Sequence, residues 1–163
     1  MFTHILCPID GSECSLEALD IAARLASEQS AKLTICTVVD PSKAAAMAFG
    51  DPPMTAACFD ALDEEGKLLV ADAAARVKQS TTAQAVCLDG QPVESIVEYT
   101  VANACDLIVM GSHGRSGIRR ALLGSVAEGV LHKTDVPVMV IRWTGRVSTI
   151  PSNVNTQKAT AAT

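Results

Sequence analysis

The chain predicts an α/β fold: a single doubly wound, five-stranded parallel sheet flanked by helices, Rossmann-like, with strand order 3-2-1-4-5. Three observations lead there. Strand and helix signals alternate along the sequence, which calls for parallel strands joined by right-handed crossovers. The strand-like runs are short and apolar throughout, as strands covered on both faces are. Of the 163 residues, 48% are hydrophobic but only 3% aromatic, so Ala, Val, Leu and Ile carry the burial of a single domain.

Each element has its own signal. His4-Ile5-Leu6-Cys7-Pro8-Ile9 reads as the first strand, broken by Asp10-Gly11-Ser12. Ser12 or Ser15 can cap a helix running to about residue 27, with Leu16, Leu19, Ala23 and Ala26 along one face. Residues 33–39, rich in β-branched side chains, form the second strand. Residues 41–58, with Gly50-Asp51-Pro52-Pro53 at their centre, read as an irregular connection long enough to act as a lid or contact surface. A long helix follows over 59–78, with Leu62, Leu69, Ala73 and Val77 inward. Residues 83–88 are the third strand. Pro92 suits the first turn of the next helix. Val93, Ile96, Val97, Thr100 and Val101 there keep the spacing of one apolar face. Leu107-Ile108-Val109-Met110 is the fourth strand, a helix runs from Ser125 to about His132, and residues 137–142 are the fifth strand. The domain spans 1–143. Residues 144–163 are polar, with Arg146 and Lys158 their only charges, and are expected to form a mobile tail.

Composition removes several functions. A net charge of −5 argues against nucleic acid or an acidic membrane as partner. Locally the balance reverses: Arg115, Arg119, Arg120 and Lys133 face Glu128 alone, which suits a small polyanion. The six cysteines form no C-x-x-C pair and no zinc spacing, so no metal site is expected. Cys7, Cys36 and Cys87 fall in strand-like runs and read as buried thiols, whereas Cys14 and Cys58 are candidates for exposed, oxidisable ones. This usage fits a reducing compartment. With no signal-peptide layout and no run of transmembrane length, the expected location is cytoplasmic.

The chemistry concentrates in residues 110–126. Gly111, Gly114 and Gly124-Ser125 are spaced Gly-x2-Gly-x9-Gly-Ser between a buried strand and a helix start. Strand, glycine-rich loop and helix N-terminus together hold a phosphate. Glycine permits positive φ and close backbone approach, and the helix end offers N–H groups and a partial positive charge. In a doubly wound sheet the ligand sits at the strand C-terminal ends. Asp10 would then share a crevice with the glycine loop and accept hydrogen bonds from a base or ribose. Its alternative role is a turn or cap residue.

Those residues carry a resemblance. Ile5-Leu6-Cys7-Pro8-Ile9-Asp10-Gly11-Ser12, Val38-Val39-Asp40, Met110-Gly111-Ser112-His113-Gly114, Leu122-Leu123-Gly124-Ser125-Val126 and Val136-Pro137-Val138-Met139-Val140 resemble the ATP-binding branch of the universal stress proteins. The resemblance implies ATP, ADP or AMP as ligand, with Mg2+ held through the phosphates. It implies that Asp10 contacts the adenine or ribose, and that the backbone of Pro8, Ile9 and Val38 frames the base. Met110, Gly111, His113, Gly114 and Arg115 would line the phosphate or ribose loop. Gly124 would allow close approach, and Ser125 with the N–H of Val126 would bind phosphate oxygens. No catalytic residue is assigned. His113 lacks an oriented nucleophile and belongs to the loop, while His4 and His132 read as structural.

The expected function is a dimeric regulatory or protective module. A slow ATPase or phosphotransferase on the same fold, and a nucleotide-free interaction module, are the alternatives. Dimerisation is expected through the last strand, residues 136–141 from Val136 to Ile141, an apolar edge open to antiparallel pairing. Members of the resembled family pair through this strand.

Overall fold

The chain's architecture was obtained as a computed structural model that describes residues 1–114 and 123–142. The expected mobile tail lies outside these, as do Arg115, Arg119 and Arg120. In chain order the elements are β1 (His4–Pro8), α1 (Glu13–Gln29), β2 (Lys32–Val39), α2 (Pro41–Met47) and α3 (Pro52–Val77). They continue with β3 (Ala83–Asp89), α4 (Pro92–Ala102), β4 (Leu107–Gly111), α5 (Ser125–Lys133) and β5 (Val138–Ile141). The five strands are parallel, in the predicted order β3-β2-β1-β4-β5.

The central strand explains why its sequence is apolar throughout. Ile5, Cys7 and Ile9 pack with Leu19, Ala22 and Val70 under α1 and α3. Leu6 packs the other way, with Ile96, Ala127 and Val130 under α4 and α5. β4 divides likewise: Leu107 and Val109 join the first cluster, Ile108 and Met110 the second. A strand buried on both faces has no polar side, and each such leucine or isoleucine contributes about 1.5–3 kcal/mol.

Two expectations about the connections need correction. Residues 41–58 are not irregular. They hold all of α2 and the start of α3, so α3 begins at Pro52 rather than near residue 59. The Asp-Pro pairs are the punctuation. Asp40 accepts a hydrogen bond from the Ser42 N–H, Asp51 from the Met54 N–H, and the prolines occupy the first helical turns. Of the two candidate caps for α1, Ser12 is the one used.

Burial also revises three side chains, of which Cys87, expected buried, is half-buried on β3. Cys14 is not exposed: only 7% of it reaches solvent, because it points from α1 toward β4. Val101, expected on the inner face of α4, is 76% exposed, whereas Ile96 and Thr100 are buried. The structural reading of His4 holds, with Nδ1 3.0 Å from the Asn103 carbonyl oxygen and Nε2 2.9 Å from Thr34 Oγ1. Burial pushes the Cys7 and Cys36 thiols far up, which removes them as nucleophiles.

Candidate functional site

β1 leads into α1 on one face of the sheet, and β4 leads toward α5 on the other. Neighbouring strands whose helices depart to opposite faces leave a crevice at their C-terminal ends, where such sheets take ligands. Pro8 ends β1, paired in register with Cys36. The Ile9 N–H donates to the Cys36 carbonyl at 2.8 Å, which keeps the chain beside β2. Val38, half-buried near the end of β2, stands in register with Leu88. Met110 is buried under α4 and α5, and Gly111 ends β4.

The structure brings Asp10 and the glycine segment together. Asp10 is half-buried. Its Oδ1 accepts hydrogen bonds from the Ser12 N–H at 3.1 Å and the Ser12 hydroxyl at 2.6 Å, so the turn role is real. Oδ2 faces Gly114: a Cβ on Gly114 would stand 2.5 Å from it. Gly124 lies on the same loop system. Its N–H donates to the Ser112 carbonyl at 2.7 Å, and a Cβ there would meet that oxygen at 3.1 Å and His113 Cα at 3.4 Å.

The glycines serve space rather than left-handed backbone. Among the described residues, the positive-φ glycines are Gly11, Gly50 and Gly90, not Gly111, Gly114 or Gly124. Gly111 admits α1: a Cβ would lie 3.0 Å from the Cys14 carbonyl carbon and 3.1 Å from the Ser15 nitrogen. Of the two expected uses of these glycines, positive φ is not made and close approach is, to the protein's own atoms.

At the far side of the crevice α5 begins. Its N-cap is Gly124, with no side-chain cap, unlike α1, α2 and α3. Ser125 opens the helix and is exposed, and Val126 behind it is half-buried. A helix start without a side-chain acceptor directs N–H groups and the positive dipole end at whatever anion arrives. Lys133 sits at the other end, ion-paired to Glu94 of α4, and so belongs to the helix packing rather than the loop.

Three residues outside the expected set of ligand contacts also stand here. Ser112, 3% exposed, donates its N–H to the Ile141 carbonyl at 2.7 Å, and its hydroxyl lies 3.0 Å from His113 Nδ1. Cys14 Sγ donates to the same Ile141 carbonyl at 3.2 Å. Asp40, buried at the end of β2, accepts from the Ser42 N–H and hydroxyl and from Gln91 Nε2 at 3.0 Å. Burial alone would raise the Asp40 pKa, but the bonds from Ser42, the charge of Lys43 and the bond from Gln91 outweigh it and lower the value. Its signal was visible in the Asp-Pro pair. Ser112 lay inside the glycine motif, but nothing in spacing marks a hydroxyl as a loop anchor. A separate hollow of about 550 Å³ lies between α2 and α3, lined by Pro41, Ala44, Gly50 and Phe59 and by none of the expected ligand residues.

The universal stress protein family matches over residues 1–142. Universal stress protein MJ0531 of Methanocaldococcus jannaschii is 36% identical, covering 87% of this chain and 83% of its own. The solved structure of MJ0577, from the same organism, superposes with a TM-score of 0.78 at 26% identity, covering 88% of this chain and 97% of that one. A universal stress protein crystallised in complex with cAMP superposes with a TM-score of 0.62 at 29% identity, covering 86% of this chain and 97% of that one.

Proposed function

Since the chain belongs to the universal stress protein family, we propose that it binds an adenine nucleotide in the crevice between β1 and β4 and acts as a dimeric regulatory or protective module. The observation that carries this reading is the pairing of two ends: Asp10 against Gly114, and the α5 start tied back to Ser112 through Gly124. One end offers a carboxylate to ribose or base hydroxyl and amine donors. The other offers backbone N–H groups and a hydroxyl to phosphate. A protein of this family with cAMP bound supports the same ligand class.

In this reading the backbone of Pro8, Ile9 and Val38 frames the base beside Met110. Gly111, His113, Gly114 and Arg115 line the ribose and phosphate path. Gly124 leaves room for the phosphate, and Ser125 Oγ and the Val126 N–H bind its oxygens. With ATP as ligand, Mg2+ arrives on its phosphates. A cytoplasmic location accompanies the reading, as cysteines without paired spacing suit a reducing compartment. No described helix is long and apolar enough to cross a membrane. The test is direct. Mass analysis of ligand released from natively purified protein is expected to find ATP, ADP or AMP, and calorimetry is expected to show their rebinding. Absence of both would overturn the reading.

A further inference from the structure

We propose that the hollow between α2 and α3 is a docking site for a second copy of this chain, each copy seating its Phe49 in the hollow of the other. Three features meet at that corner. The first is an aromatic ring with almost no packing of its own. Phe49 is 98% exposed, and Met47 before it and Met54 after it are 58% and 53% exposed. Large apolar side chains gathered on one exposed corner mark a contact surface. The second is the backbone that presents the ring. Phe49 has φ 52°, in the left-handed region where glycine is the usual residue after a helix. The Phe49 N–H donates to the Ala46 carbonyl and the Gly50 N–H to the Ala45 carbonyl, which fixes the corner with the ring outward. Strain and exposure together bring no packing to a single copy, and packing between two copies accounts for both. The third is the hollow of about 550 Å³, which begins at Gly50, the next residue in the chain. Ala44, Ala45, Gly50 and Ala56 line it, and their small size leaves the space open. A phenylalanine ring that enters such a space buries about 150–250 Å².

The charges select a second copy over a partner of one sign. Lys43 is exposed on α2 beside Ala44, and Asp60 lines the hollow from α3. Among the described residues neither is ion-paired within the chain. Ring, hollow and both signs of charge belong to one molecule, so a two-fold contact uses each of them twice. With α2 of one copy laid across α3 of the other, Lys43 faces Asp60 of the second copy. The contact is small. Two rings with their methionine neighbours fall short of the roughly 1,200–2,000 Å² of a stable dimer, so the association is weak. It is also separate from the proposed β5 contact, because β5 ends the sheet on one side of β1 and α2 follows β2 on the other.

Sedimentation velocity on the full chain tests this. Between about 10 µM and about 500 µM the wild-type average mass is expected to climb toward twice its dilute value. Phe49→Gly is expected to keep the dilute mass throughout. It should also melt at or above the wild-type temperature, because it relieves the left-handed strain and removes no packing. Ala56→Lys keeps the ring and places a charge in the hollow at an exposed position, and it too is expected to keep the dilute mass. A wild type of constant mass overturns the proposal, as does association retained by Phe49→Gly. Association retained by Ala56→Lys overturns the hollow as the seat of the ring. A lowered melting temperature in Phe49→Gly would show that the ring packs on its own chain, and would overturn the premise.

Discussion

At Gly114 the tolerance for one extra carbon can be stated in ångströms. A Cβ would press on Asp10 Oδ2 at 2.5 Å, and a branched side chain would also fill the mouth of the crevice. Gly114→Val and Gly124→Val are each expected to abolish nucleotide binding by calorimetry while circular dichroism stays near wild type. Unchanged affinity in both variants would remove the loop from the site. Asp10→Ala is expected to cost about 1–3 kcal/mol of binding, the worth of a charge-assisted hydrogen bond. The loss should be equal for ATP and AMP, and a loss confined to ATP would place Asp10 at the phosphates. The motif's spacing made the segment legible in the sequence, and the strand pattern made its meeting with Asp10 legible too. The reason for its glycines was not. Whether a glycine serves φ or space depends on what stands opposite, and Cys14 and Ser15 come from a helix nearly one hundred residues earlier in the chain.

Among the elements, the central strands β1 and β4 were readable because their continuous apolar runs suit a sheet covered on both sides. α2 was not. Its core is Ala44-Ala45-Ala46, which shows no amphipathic period, and only Ala44 of the helix is buried. Proline before a polar stretch looked like a loop, yet at a first turn it starts a helix. The cap at Asp40 leads to a test in acid. Its folded-state pKa is lowered, so its carboxylate stabilises the fold above the ordinary aspartate value, and this contribution fades as pH falls through the lowered one. Asp40→Asn should therefore lower the Tm at neutral pH, and the gap to wild type should narrow below about pH 4. A gap independent of pH would show that the charge does not contribute.

On the scale of the whole molecule, β5 lies at the edge of the sheet and, among the described residues, pairs with β4 alone, and Met139 on it is 36% exposed. The proposed dimer uses that edge. Met139→Lys is expected to shift light scattering at micromolar concentration from dimer toward monomer, with nucleotide affinity retained. A wild-type monomer would refute the proposal. Ile141 is an unsuitable probe, because it packs against the core beneath α1 and its carbonyl holds Ser112 and Cys14. The strand order has a consequence for how the molecule comes into being. Ile5 pairs with Leu33 on one side and with Leu107 on the other. The first pairing is available early in synthesis, the second only after most of the chain has emerged from the ribosome. Half of the sheet can thus form while the crevice does not yet exist. In refolding followed by pulsed hydrogen exchange, amides of β1, β2 and β3 should gain protection before those of β4 and β5. Simultaneous protection of all five would contradict this order. A nascent chain cannot hold nucleotide, and ligand would stabilise only the finished molecule, drawing the last-closing half shut by mass action.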